Sequence, residues 1–235
     1  MSSARVSIGR EAASRTAQSS QLFQFSEGRF MADPILAMLD QRSTTNLFDP
    51  QVRVEDAQIS ELVRVATKAP TAFNLQNWRF IAVRSEEGKQ RLRSLAFGQE
   101  KVEDAAVTFI VCGVLPESSD VPVRLAPMVE AGYMPSDLVA GWMRGADGLY
   151  DGQPTRQRDE AVRSATFGAS ALMFAARAIG LGSAPMIGFD AEGVSRGFAL
   201  KANEIPVMLV AIGGAMAENW PQKPRRAIDE VLDFV

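Results

Sequence analysis

Apolar residues recur along this chain in two rhythms, a helical period and short continuous runs. Asp33-Pro34 reads as an N-cap followed by proline in the first helical turn. Ile35, Leu36 and Leu39 then supply the stripe of a helix ending near Arg42. A second helix carries Ile59, Leu62, Val63 and Ala66 at i, i+3, i+4 and i+7. It is expected to stop at Ala69-Pro70, where proline removes a donor and clashes with the preceding turn. Residues 78–84 predict a strand, 85–95 a helix and 106–114 a buried strand. Residues 116–152 read as irregular, because Pro122, Pro127 and Pro135 break them and leave short helical pieces around 138–143. A long helix is expected from about Glu160 to Ile179, ended by Gly180 as a glycine C-cap. A short strand at 185–189 leads into a helix capped by Asp190, and residues 206–212 form a central strand.

Helices interleaved with strands make this a mixed α and β chain, with one domain over residues 31–235. Residues 1–30 differ, being rich in Ser, Ala, Gln and Arg, and read as a loosely ordered N-terminal arm. They contain no apolar segment of the kind a secretory signal needs. Their Arg- and Ser-rich composition also fits an organellar transit peptide, and Met31 would serve as an alternative start. No apolar run reaches the roughly 18 residues that a membrane helix requires.

Composition sharpens this picture in three places. The 235 residues, 46% of them hydrophobic, suffice to bury about 70% of the unfolded chain's surface without a disulfide or metal staple. The net charge of −3 disfavours nucleic acid as the main partner. The single cysteine, Cys112, lies inside an apolar run, which reads as a buried thiol in a reducing, cytoplasmic setting. The absence of histidine excludes most. No Ser-His-Asp triad, Cys-His pair or His-ligated zinc can form, so carboxylates or solvent supply the protons, or a cofactor carries the chemistry.

Four segments could hold such a cofactor. Arg42-Ser43-Thr44-Thr45-Asn46 places a guanidinium beside short hydroxyls, which suits a phosphate. Lys223-Pro224-Arg225-Arg226 is a dense basic cluster that could complete a phosphate clamp. In the segment from Ala69 to Trp78, Asn and Gln side chains match the donor–acceptor edge of a flavin, and Thr71 and Ala72 let a flat ring approach the backbone. The turn Gly180-Leu181-Gly182-Ser183-Ala184-Pro185-Met186-Ile187-Gly188-Phe189 is neither a Walker loop nor a G-x-G-x-x-G fingerprint. Each segment alone also fits a solvated loop or helix end.

Taken together and in order, the four resemble the motifs of the nitroreductase family of FMN-dependent oxidoreductases, over residues 33–235. The R-x-S-x-R phosphate motif before F-D corresponds to Arg42 through Asp49, and A-P-S-x-x-N-x-Q-P-W to Ala69 through Trp78. The G-L-G turn corresponds to Gly180 through Phe189, and the closing K-x-R to Lys223 through Arg225. The resemblance implies an α+β fold, a central mainly antiparallel sheet flanked by helices, in an intertwined homodimer with FMN at the interface. It assigns Arg42, Ser43, Thr44, Asn46, Lys223 and Arg225 to the motifs that hold the phosphate and ribityl chain. Thr71, Ala72 and Asn74 would approach the ring from the partner subunit. Met186, Ile187 and Gly188 would lie against the ring, and Gln99 and Lys101 would meet its pyrimidine edge.

The chain departs from the pattern at Asn46, where a basic residue is usual, and at Asn77, in place of the motif proline. Thr44 for serine is conservative, and Ile187 stands where some members have glutamate. The implied activity is ping-pong reduction of a nitroaromatic or quinone by NADH or NADPH, with hydride passing through the flavin. The same fold also admits flavin fragmentation, dehalogenation or dehydrogenation, and a non-catalytic FMN-binding dimer.

Overall fold

The computed structural model describes residues 33–235; the expected arm at residues 1–30 and the alternative start at Met31 lie outside them. The first of two compact units contributes α1 (Pro34–Gln41), and the second comprises residues 42–235. As its sequence predicts, α1 is capped by Asp33, whose Oδ1 accepts from the backbone N–H of Ile35 (2.8 Å) and Leu36 (3.3 Å).

The second unit is built on a five-stranded sheet of β1 (Phe48–Asp49), β2 (Trp78–Val83), β3 (Val107–Val114), β4 (Gly182–Met186) and β5 (Glu204–Ala215). Every pairing among these strands is antiparallel. β3 lies between β2 and β5, and the other edge of β5 is shared by β4 and β1. The two central strands read as near-continuous apolar runs because both faces of the sheet are covered. Alternation along β3 divides two cores. Ile110 and Cys112 pack with Leu92, Val102 and Val194 on one face, while Val107, Phe109 and Val111 pack with Leu62, Ala165, Ala169 and Leu172 on the other.

The first face is covered by α3 (Glu86–Leu95), α4 (Lys101–Asp104) and α8 (Ala191–Gly197), the second by α2 (Asp56–Ala66) and α7 (Pro154–Ala178). The small residues of α7 let it come close. A Cβ added to Gly113 of β3 would meet the carbonyl oxygen of Ala161 at 2.5 Å, so glycine is required there. Prolines in the strands sit where a ladder donor is dispensable. Pro206 lies beside a register shift between β3 and β5, and beyond the stretch of β5 that pairs with β4.

Several expectations need correction. Residues 116–152 are not irregular, for they hold α5 (Val121–Glu130) and α6 (Asp137–Tyr150). Pro122 falls in the first turn of α5, where proline fits, Pro135 precedes α6, and only Pro127 is inside a helix. These two helices enclose a third apolar cluster of Leu75, Val121, Leu125, Met134, Ala146 and Tyr150. The long helix begins at Pro154 rather than Glu160, because its first turns are solvated and carry no apolar stripe. The strand expected at 185–189 is β4, Gly182–Met186, set by its pairing with β5. β5 runs well beyond 206–212 because it is paired on both sides. The second helix ends at Ala66, before Ala69-Pro70 is reached. β1 and α4 are too short to show a period, and no pattern announced them.

Candidate functional site

The segment 42–46 enters the sheet at the free edge of β4. Thr45 donates its backbone N–H to the Ser183 carbonyl at 3.0 Å, and Thr44 forms a parallel bridge with Ser183. The fit is close, since a Cβ on Gly182 would overlap the Thr45 hydroxyl. This contact brings the first and third motif segments together, although about 140 residues separate them.

The C-terminal segment is tied to the same place by a residue that sequence reasoning missed. Asn219 Oδ1 accepts from the backbone N–H of Asn46 (2.6 Å) and Leu47 (2.9 Å). Its Nδ2 donates to the carbonyls of Leu47 (2.7 Å) and Met216 (2.9 Å). Gln222 Nε2 adds a bond to the Arg42 carbonyl at 3.0 Å. A lone asparagine between Glu218 and Trp220 carries no periodicity or motif, so nothing in the sequence singled it out.

These ties gather four cations into two like-charged pairs. Burial, and then the neighbouring Arg225, lower the pKa of Arg42. Burial, and then Lys223, lower that of Lys101. Among the described residues none of the four makes an ion pair with a carboxylate. Arg42 Nη1 is buried without a hydrogen-bond partner. A desolvated donor beside a second positive charge is costly unless an anion completes it, and a guanidinium pair matches phosphate in shape and charge. The cradle therefore fits the phosphate of a nucleotide cofactor.

The expected ring contacts lie nearby. Lys101 opens α4, and its Nζ is 3.5 Å from Asn46 Oδ1. Gln99 Nε2 donates to the Gly188 carbonyl at 2.9 Å and to the Ala96 carbonyl at 3.1 Å. Met186 is buried at the end of β4, whereas Ile187 is 82% exposed and Gly188 is also exposed. Ser43 is half-buried between Arg42 and Thr44.

Thr71, Ala72 and Asn74 stand apart. Their hydrogen bonds run to their own loop and, from Asn74, to α5. Thr71 Oγ1 accepts from the Gln76 N–H at 3.0 Å, and Asn74 Nδ2 donates to the Arg124 carbonyl at 3.2 Å. Phe73, Asn74 and Gln76 all have φ between 53° and 54°, at a cost of roughly 1–2 kcal/mol each. Packing offsets it, for the Phe73 ring meets Trp142 and Tyr150 edge-on with centroids 6.2 Å apart in both pairs. Asn77, the departure from the motif proline, is buried with an unpartnered Oδ1.

Cys112 is buried as expected, and its thiol pKa is pushed up to about 12, first by burial and then by Glu204. It stays protonated near neutrality and takes no part in the site. No helix among the described residues is long and apolar enough to cross a membrane.

Residues 39–214 match the model of the nitroreductase family. The chain belongs to that family. Among relatives of this nitroreductase-family chain, protein DrgA of Synechocystis is 34% identical over 188 residues, spanning 79% of this chain and 85% of that protein. An NADH dehydrogenase of Thermus thermophilus is 31% identical over 174 residues, spanning 72% and 80%. A nitroreductase-type protein from Exiguobacterium sibiricum, solved in complex with FMN, superposes with a TM-score of 0.80 at 27% identity, covering 87% of this chain and 98% of that one.

Proposed function

We propose that this nitroreductase-family chain is an FMN-dependent oxidoreductase that uses NADH or NADPH to reduce nitroaromatic or quinone-type acceptors by a ping-pong route. One observation carries the reading: the half-buried Arg42 has Arg225 as a charged neighbour, and its Nη1 lacks a partner among the described residues. The FMN complex of the Exiguobacterium relative supports the choice of anion. When bound, FMN would supply the two-electron chemistry that side chains do not carry. Arg42 and Arg225 would hold the phosphate, with Ser43 and Thr44 as short donors. Gln99 and Lys101 would face the pyrimidine edge. The β4 end from Met186 to Gly188 would offer main-chain groups to the ring.

The same reading takes the working unit to be a homodimer, acting in the cytoplasm on a small-molecule acceptor. Thr71, Ala72 and Asn74 would then reach the partner's flavin. Two features support a second copy. The tail beyond Arg226 exposes Ile228, Val231, Leu232 and Phe234, the last 92% accessible. Among the described residues β2 has a single strand neighbour, so one edge is open to strand addition by the partner's tail. Burying such a surface suits an obligate interface of more than about 2,000 Å².

The test is an absorption spectrum of the purified protein with additions of NADH and NADPH. A flavin spectrum that bleaches with either nucleotide and returns with a nitroaromatic or quinone is expected. A protein without flavin, or one whose flavin neither nucleotide bleaches, would refute the reading.

A further inference from the structure

The C-terminal side of the cradle is attached differently from the rest. The chain around Asn46 is held on both sides, by the Thr45 bond to Ser183 and by the pairing of β1 with β5. Past Met216, whose N–H donates to the Leu47 carbonyl at 3.1 Å, that support ends. Residues 217–226 make no backbone-to-backbone hydrogen bond among the described residues, and all but Asn219 are exposed. This strap is hydrogen-bonded to the preceding chain through two amide side chains, Asn219 and Gln222.

Asn219 uses its whole bonding capacity. Its Oδ1 accepts from the N–H groups of Asn46 and Leu47, and its Nδ2 donates to the carbonyls of Leu47 and Met216. An amide offers two donors and two acceptor sites, whereas aspartate lacks the donors and leucine lacks both. Beyond this clip Pro221 and Pro224 stiffen the path, because their rings fix φ. Between them Gln222 Nε2 meets the Arg42 carbonyl at 3.0 Å. Lys223 and Arg225 therefore leave the clip on a short, restricted route beside Arg42.

Resting on the FMN reading above, we propose that Asn219 is the positioning residue of the phosphate clamp, latching the strap so that Lys223 and Arg225 stand at the Arg42 side before the cofactor arrives. It touches no cofactor atom itself. A latched strap meets the phosphate already ordered. An unlatched one has to be ordered by the ligand, which weakens binding. The action is confined to the phosphate end, since neither amide bonds to Gln99 or to residues 186–188.

Riboflavin, which is FMN without the phosphate, separates this role from a general structural one. In the FMN-loaded full-length protein, the riboflavin concentration that displaces half of the FMN reads the ratio of the two affinities. A change that loosens the whole site cancels from that ratio. Asn219→Leu should lower the midpoint by about tenfold, the scale of one net hydrogen bond. Gln222→Ala cuts the second tie and leaves the clip, and should lower it by about threefold. In a protein carrying both Lys223→Met and Arg225→Ala, adding Asn219→Leu should change the midpoint by less than about twofold, because the strap then has neither cation to position.

An Asn219→Leu protein with the parent's midpoint, which general loosening would give, overturns the proposal. So does an undiminished effect of that substitution in the protein lacking both cations. Should Asn219→Leu not fold, Gln222→Ala decides, and a parent-like midpoint there overturns the proposal. A parent that holds no FMN removes the functional reading, and this proposal falls with it. A parent that holds FMN and yields it to riboflavin no less readily than the variants do overturns this proposal alone.

Discussion

Two buried side-chain polar atoms lack a hydrogen-bond partner among the described residues, and they lie in different regions of the site. Arg42 Nη1 is a charged donor in a cradle whose backbone is well tied and whose cations repel one another. Asn77 Oδ1 is a neutral acceptor at the end of a loop whose backbone is strained and whose side chains are packed against α5 and α6. The first region is locally relaxed and electrostatically incomplete, so it calls for an anion. The second is electrostatically quiet and conformationally strained, and its strain is offset by the packing of Phe73 on Trp142 and Tyr150. The contrast sets a region that lacks a counter-charge beside one that is held by its own packing.

The largest effect should come from the tail. Deleting residues 229–235 is expected to convert dimers to monomers and to lower flavin occupancy together, read by light scattering and the ratio of flavin to protein absorbance. A truncated protein that stays dimeric with full occupancy would show that the tail does not hold the two copies together.

Arg225→Ala acts on the cradle alone. It should weaken FMN binding by about 1.5–3 kcal/mol, the range for hydrogen bonds to charged groups. Unchanged affinity by flavin-fluorescence titration would dissolve the phosphate clamp.

A smaller effect is expected at the other orphan. Asn77→Leu removes a buried acceptor that has no donor and should raise stability to urea by about 1 kcal/mol, without altering flavin retention. Loss of dimer stability instead would mean that a partner group answers Asn77, and the two regions would then be alike.

The last test concerns protons. In the free protein the Lys101 pKa is lowered by burial and by Lys223, so its ammonium sheds its proton more readily than an exposed lysine does. An anion at the site favours the charged form and raises that pKa again. FMN binding should therefore take up a fraction of a proton on the alkaline side of neutrality, and affinity should fall as pH rises there. Calorimetry in buffers of different ionisation enthalpy would detect this, and proton release would contradict the charge assignment.

The helices α1, α2, α3 and α8 and the strands β2, β3 and β5 were legible because each is long enough to show a period or carries a cap, as with Asp33 and Asp190. The helices α5 and α6 were hidden by prolines, of which Pro122 and Pro135 proved to occupy a start and a connection while Pro127 lies inside α5. The four motif segments were likewise legible as chemistry, since Arg42, Thr44, Lys223 and Arg225 are residue types suited to a phosphate wherever they lie. Their convergence was not. It depends on antiparallel pairing of β4 with β5, on the Thr44–Ser183 bridge, and on Asn219, which has no signature. The pairing of Lys101 with Asn46 also escaped notice, because α4 spans four residues and shows no period. Residue type and local periodicity, being properties of neighbours in the chain, are written in the sequence itself. Which cation faces which, and which donor is left without an acceptor, depends on contacts between residues more than a hundred positions apart, and only the folded chain decides them.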